Sequence, residues 1–333
     1  MVSQGKMSSP RLSVSDERWS LKSPFRISRG TKSEAHVVVV SITRDGKTGR
    51  GECVPYARYN ENIPGVISTI EMLRPAIEAG ASRHDLMKGV KPGAARNAID
   101  CALWDLEAKQ SGTRVWNLAG LPEPTPVTTA LTISMDTPTA MATAACAAKA
   151  PLLKLKLGGP TDIECVAAVR ATCPHATLIV DPNESWTFQQ LVAFSPALKH
   201  LGVSLIEQPI AADIDVALSG FSAPVPLCAD ESFHTEADLP RILGRYAAVN
   251  IKLDKVGGLT AALKLAQSAQ NSGLAIMVGS MVASSLSVAP AFMLASLSHF
   301  IDLDSPMLLA KDRIPAMPYN GTTLSCPPSE LWG

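Results

Sequence analysis

The sequence has no excess of charge of either sign. Its 30 Lys and Arg balance 30 Asp and Glu, and charged residues are only 18% of the chain. Binders of nucleic acid or anionic membranes carry a basic excess, so the balance argues against both partners. The seven cysteines (Cys53, Cys101, Cys146, Cys165, Cys173, Cys228 and Cys326) are odd in number and form no C-x-x-C pair. A disulfide framework is thereby excluded, and the thiols read as reduced, in a cytoplasmic protein. The six histidines show neither H-x-H nor H-E-x-x-H spacing, which argues against zinc. No apolar core follows Met1, so no secretory signal is expected, and Met1 and Met7 are both compatible with the native start. No G-x-G-x-x-G opens an early helix, which weakens a dinucleotide-binding reading. Charge is also missing between Lys264 and Asp302. That stretch holds Gln267, Gln270, Asn271, Pro290 and six serines between Ser280 and Ser298, so it reads as buried soluble elements and not as a membrane span.

What is present divides in two. A chain of 333 residues has room for about two domains. Near the start, VVVVSI (37–42) is a β-branched strand, and after a turn at Arg44–Lys47 the segment GRGEC (49–53) completes a hairpin or meander. Helices are expected over 65–80 and from about Pro92 to Gln110, with Pro92 in the first turn and Gly112 at the end. Three prolines in LPEPTPV (121–127) mark a boundary. Beyond it, eight apolar segments alternate with helical stretches: 127–134, 152–157, 176–181, 202–209, 224–231, 247–254, 274–280 and 299–304. Such alternation implies a parallel sheet covered by helices, and eight units favour a closed α/β barrel over an open sheet.

Charged residues end these segments: Lys154 and Lys156, Asp181, Glu207, Asp230, Lys252 with Asp254, and Asp302 with Asp304. From Lys156 to Lys252 they recur roughly every 25 residues, the length of one strand–helix unit, which sets them at one height on successive strands. In a barrel that height is the C-terminal mouth, where active sites lie. Side chains alternate faces along a strand. Lys154 and Lys156 therefore share a face, as do Asn250, Lys252 and Asp254, and likewise Asp302 and Asp304. A single Asp at a strand end is ordinarily a turn residue or a helix cap. Five strand ends in register are not accounted for that way. Three converging carboxylates repel one another unless a cation joins them, and oxygen ligands suit Mg²⁺, with Mn²⁺ as a substitute.

These residues also carry a resemblance. K-L-K (154–156), IVDPNESW (179–186), IEQP (206–209), CADES (228–232) and NIKLDKVGGLTAAL (250–263) are similar to the enolase superfamily in its muconate-lactonizing subgroup. With IDLDSP (301–306), PFRISRGTKSEAHVVVV, GECVPYARY and GAARNAIDCALWDLEAK, the chain looks like the dipeptide epimerases, most of all the L-Ala-D/L-Glu epimerases. The resemblance implies a (β/α)7β modified TIM barrel over 123–309. An α+β capping domain would comprise residues 1–122, completed by the tail 310–333. It also implies a 1,1-proton transfer at the α-carbon of a dipeptide's C-terminal residue, in murein peptide metabolism. One Mg²⁺ would be held by Asp181, Glu207 and Asp230. Lys156 and Lys252, on opposite sides of the barrel, would be the two bases. Both are expected below the ordinary lysine pKa, lowered by Lys154 and the cation. Lys154 would tune Lys156 and contact the substrate carboxylate. Asp302 and Asp304 would take the dipeptide ammonium, and the backbone at Gly279, Ser280 and Met281 would contact the substrate. Lys32, or second to it Arg29, would pair with a glutamate side chain. Asn183 and Glu231 would support the ligands. Dimers are common in the family, and the sequence shows no interface signal. The competing readings are an o-succinylbenzoate synthase or cycloisomerase, an epimerase of other dipeptides, and a non-catalytic binding barrel.

Overall fold

The structure, a computed structural model, describes residues 8–333; Met1 and Met7 lie outside the described residues. The valine run at 37–40 is buried on both faces because Val37 and Val39 pack into the core shared with the barrel and Val38 and Val40 against the covering helices. It belongs to β2 (Gly30–Arg44), which lies between β1 (Arg11–Ile27) and β3 (Lys47–Cys53) in an antiparallel sheet. β1 was not expected. Its mostly polar, half-exposed side chains hide a strand whose hydrogen bonds go to β2 along almost its whole length. Asp45 and Gly46 take φ of 48° and 73°, the left-handed pair that a tight hairpin turn requires.

Helices Ile63–Glu78, Arg83–Gly89 and Ala94–Ser111 cover this sheet. The third starts at Ala94, after Pro92, because Gly93 at φ 137° occupies its N-cap. Gly112 ends it in the left-handed conformation. It packs so close to β3 that a Cβ at Gly49 or Gly51 would lie 2.1 Å from the Ala102 or Ala98 carbonyl oxygen.

The segment expected as one strand at 127–134 divides into β4 (Val127–Thr128) and β5 (Leu131–Ile133). Strands β5, β6 (Leu152–Lys156), β7 (Thr177–Asp181), β8 (Val203–Glu207), β9 (Leu227–Ala229), β10 (Ala248–Lys252), β11 (Ala275–Gly279) and β12 (Phe300–Asp302) form one sheet in sequence order. All its neighbouring pairs are parallel. Ala130 N donates to Ile301 O at 2.7 Å and brings the two ends of the sheet together, so the expected barrel is observed. Helices fill the crossovers, except that a short 3₁₀ turn, Asp215–Leu218, joins β8 to β9. No full helix follows β12. Instead the tail pairs β13 (Tyr319–Asn320) with β14 (Thr323–Leu324), and β14 with β4. It then returns to the first sheet's helix, where Trp332 Nε1 donates to Cys101 O at 3.0 Å and Gly333 N to Asp105 Oδ1 at 2.8 Å.

The two parts are joined by buried polar contacts. Glu52 on β3 accepts from Ser284 N at 2.8 Å and pairs with Arg313 at 2.6 Å. Asp254 does not share a strand face with Asn250 and Lys252, because β10 ends at Lys252 and the chain turns into helix Leu253–Val256. Its Oδ1 instead accepts from Val54 N at 2.9 Å and Asn97 Nδ2 at 2.8 Å. Burial pushes Asp254 up to about 7, against the lowering effect of those two donors. A carboxyl raised in the fold favours folding below its unfolded pKa, and that contribution is lost as pH rises through the folded value. Asp254→Asn keeps an oxygen for both donors. It is expected to match the wild type near pH 4 and to be more stable near pH 8, by on the order of 3 kcal/mol. Urea unfolding at the two pH values measures this difference.

Candidate active site

Alternation along β6 sends Leu153 and Leu155 into the layer between barrel and helices, and Lys154 and Lys156 into the barrel mouth. β7, β8 and β9 end in the same way at Asp181, at Glu207 and just before Asp230. All the expected site residues except Gly279 and the carboxylates Asp181 and Glu207 line one cleft at this rim. Those two carboxylates are completely buried.

The carboxylates as placed are neutralised by lysines. Lys154 Nζ lies 2.6 Å from Glu207 Oε2, 2.7 Å from Asp302 Oδ2 and 3.2 Å from Asp181 Oδ2. Lys156 Nζ is 2.5 Å from Asp181 Oδ2, and Lys252 Nζ is 2.7 Å from Asp230 Oδ2. Among the described residues, no three acidic, His or Cys side chains are gathered as a ready metal cluster. Unscreened carboxylates repel, so each turns to an ammonium instead. Four buried oxygens around them nevertheless receive no hydrogen bond: Glu207 Oε2, Asn183 Oδ1, Glu231 Oε2 and Asn250 Oδ1. Glu207 Oε2 has Lys154 beside it as an ion pair without hydrogen-bond geometry. Oxygen-only donors lacking hydrogen-bond donors fit a hard divalent cation.

Electrostatics follow from these contacts. Burial raises Asp181, but Lys156 and Lys154 outweigh it and hold the carboxyl down at about 2. Burial and Asp181 push Glu207 up to about 7. Burial also works to raise Asp230, and Lys252 and Lys255 hold it well below the usual range. Lys252 is expected below an ordinary lysine with Lys154 and a cation beside it; the protein's own groups act in both directions. Burial does lower it, but Asp230 and Glu207 prevail and raise it above an ordinary lysine. Lys154 is raised against burial in the same way, by Asp302, Glu207 and Asp181.

Asp302 ends β12, whereas Asp304 is not on the strand. It precedes helix Ser305–Leu308 and accepts from Thr132 N at 2.6 Å. Both carboxylates still face the cleft. Burial and Asp302 raise Asp304 to about 6. Ser280 and Met281 follow β11 at the rim, and Ser280 N donates to Asp302 O at 3.2 Å.

From the other part of the chain, the β1–β2 hairpin reaches over the cleft. Arg29 is already engaged. It pairs with Glu231 at 2.8 Å and Glu184 at 3.3 Å, and donates to Asn183 O at 3.0 Å and Tyr56 OH at 3.1 Å. Lys32 has no carboxylate partner among the described residues. It sits 5.0 Å from the Tyr56 ring centre, and burial, then Arg29, lowers it. Asn183 holds Asp181 Oδ1 through its backbone N–H at 2.9 Å. Sequence reasoning missed Lys255, which donates to Asp230 Oδ1 at 2.6 Å. It also missed Tyr56 and Tyr59 in the cleft wall. Lys255 stands three residues after Lys252, and only the unforeseen turn at Leu253 brings it back to the site.

Residues 10–120 match the mandelate racemase / muconate lactonizing enzyme N-terminal domain family, and residues 139–317 match the enolase C-terminal domain-like family. The chain is 46% identical to the L-Ala-D/L-Glu epimerase of Escherichia coli, over 92% of this chain and 96% of that one. It is equally identical, at 46%, to an N-acetyl-D-glutamate racemase of Pseudoalteromonas, over 89% and 95%. Among solved structures, an Agrobacterium tumefaciens enolase family member with homology to dipeptide epimerases superposes with a TM-score of 0.95 at 46% identity. It covers 97% of this chain and 100% of that one, and contains sodium and L-Ala-L-Glu. A dipeptide epimerase of Enterococcus faecalis, complexed with Mg and L-Leu-L-Tyr, matches at 0.88 and 27% identity over 97% of each chain.

Proposed function

Because the chain belongs to the enolase superfamily, within its mandelate racemase and muconate lactonizing branch, we propose that it is a cytoplasmic metal-dependent dipeptide epimerase acting on L-Ala-D/L-Glu. The observation that carries this reading is the pair of lysines on β6 and β10. These strands stand four apart in a ring of eight and flank the buried carboxylates. Inverting a carbon requires removing a proton from one face and returning one to the other. Lys156 and Lys252 are placed to do this from opposite walls. Asp181, Glu207 and Asp230 would hold one Mg²⁺, or Mn²⁺ in its place, which when bound would offset the negative charge that builds on the substrate carboxylate.

The remaining residues bind and orient. Asp302 and Asp304 receive the ammonium of the N-terminal residue, and their burial keeps water from competing. Lys154 neutralises Glu207 and Asp302 between turnovers. Ser280 and Met281 close the rim beside Asp302. Asn183 and Glu231 fix Asp181 and Arg29. Lys32, with its amine unpaired, meets the glutamate side chain. Lys32→Ala is therefore expected to raise KM for L-Ala-L-Glu about tenfold and to leave L-Ala-L-Met within about twofold. Steady-state kinetics on the two dipeptides checks this.

Racemisation of an N-acylated glutamate is a second reading, supported by the equally identical Pseudoalteromonas relative. Incubation in D₂O with Mg²⁺ and either L-Ala-L-Glu or N-acetyl-D-glutamate separates the two. Deuterium at the glutamate α-carbon of the dipeptide is the expected result. No exchange with the dipeptide refutes the proposal.

A further inference from the structure

Gln208 lies outside the set of residues that line the cleft, yet it meets the three loops that carry Asp181, Glu207 and Asp230. It is completely buried and follows Glu207 with φ of 33°, a conformation that persists only where the surroundings over-determine it. Its backbone N–H donates to Cys228 O at 2.8 Å, and its carbonyl accepts from Glu184 N at 2.9 Å. The side-chain Oε1 accepts from Asp230 N at 2.9 Å and Ser232 N at 3.0 Å. The two hydrogens of Nε2 are shared among Ile210 O at 3.0 Å, Ser232 Oγ at 2.8 Å and Tyr246 OH at 3.0 Å. Two donors thus meet the two lone pairs of Oε1 and three acceptors surround the two hydrogens of Nε2, so the amide's bonding capacity is full and its orientation is fixed by having donors on one side and acceptors on the other. On the far side of the Glu184 contact, Asn183 and Glu184 also take left-handed φ, of 48° and 69°, directly after Pro182, where the chain leaves β7 at Asp181.

We propose that Gln208 is a positioning residue that sets the spacing of Asp181, Glu207 and Asp230 by tying together the three loops that bear them. The side chains themselves are left free to turn from lysine to cation, while the backbones beneath them are held. The proposal rests on the reading of these three carboxylates as the cation site.

The test uses the full chain, stripped with a chelator and titrated with Mn²⁺ alone, with free Mn²⁺ read by electron paramagnetic resonance. Gln208→Met keeps length and removes the amide. It is expected to weaken Mn²⁺ binding by about 10–100-fold. Tyr246→Phe removes one acceptor of Nε2 from a hydroxyl that bonds only Gln208, Ser232 and Asp215 among the described residues. It is expected to weaken binding in the same direction, by about threefold, with the melting temperature within a few degrees of wild type. If Gln208→Met does not fold, Tyr246→Phe decides. Lower melting temperatures with Mn²⁺ affinity unchanged would assign Gln208 a structural role only and overturn the proposal. A wild-type chain that binds no Mn²⁺ would overturn the cation-site reading beneath it.

Discussion

Lys252→Ala is expected to lower epimerisation by about 10²–10⁴-fold and to split the two enantiomers in their exchange with solvent. With Lys252 gone, Lys156 still faces the opposite side of the substrate from β6. The enantiomer whose α-proton points at Lys156 can still lose it and recover a deuteron on the same face, with no inversion. The other enantiomer has no amine facing its proton and exchanges at background rate. Lys156→Ala is expected to give the mirror pattern. Proton NMR of L-Ala-L-Glu and L-Ala-D-Glu in D₂O reads both at once. Equal loss of exchange for both enantiomers in each variant would rule out two bases on two faces. In the structure Lys252 Nζ lies 2.7 Å from Asp230 Oδ2, and although burial lowers this lysine, Asp230 and Glu207 prevail and raise it.

The strand ends were readable in the sequence because one physical rule governs them all. A parallel strand buried on both faces must be apolar, so a charge marks its mouth, and the strand–helix repeat sets the interval. Lys156, Asp181, Glu207, Asp230 and Lys252 all stand where that rule puts them, at or next to a strand end. The rule fails where the chain leaves the strand early. Asp254 and Asp304 sit two residues beyond Lys252 and Asp302 and read as strand neighbours, but each lies past its strand, where period-two alternation no longer applies. Asp254 was thereby carried to the domain interface, and Lys255 was brought unannounced onto Asp230. β1 was hidden for a different reason. An edge strand half open to water needs no apolar pattern, only a partner for its backbone, and nothing in RLSVSDERWSLKSPFRI declares that partner. Side-chain pairing was the least legible of all. Arg29 and Lys32 are both cations on one hairpin, and only the fold shows that Glu231 and Glu184 have claimed the first.

Asp302→Asn is expected to lower kcat/KM for L-Ala-L-Glu by about 10²–10³-fold, because removing one partner of a buried charge pair leaves the other uncompensated. The charge at risk is the substrate's ammonium. Asp302 and Asp304 are both buried at the end of the barrel sheet, where no water is at hand to replace a lost carboxylate beside an ammonium. Lys154 occupies Asp302 when no substrate is present, and it keeps Glu207 and Asp181 as partners after the substitution, so the site is not left with a stranded lysine. The same substitution separates the competing chemistries. A cycloisomerase or an o-succinylbenzoate synthase has no ammonium to bind, nor has an N-acylated glutamate, and for these substrates Asp302→Asn should leave kcat/KM within a few-fold of wild type. Activity on L-Ala-L-Glu that survives Asp302→Asn at near wild-type kcat/KM would show that the ammonium is bound elsewhere, and with it the assignment of a dipeptide as substrate would lose its structural support.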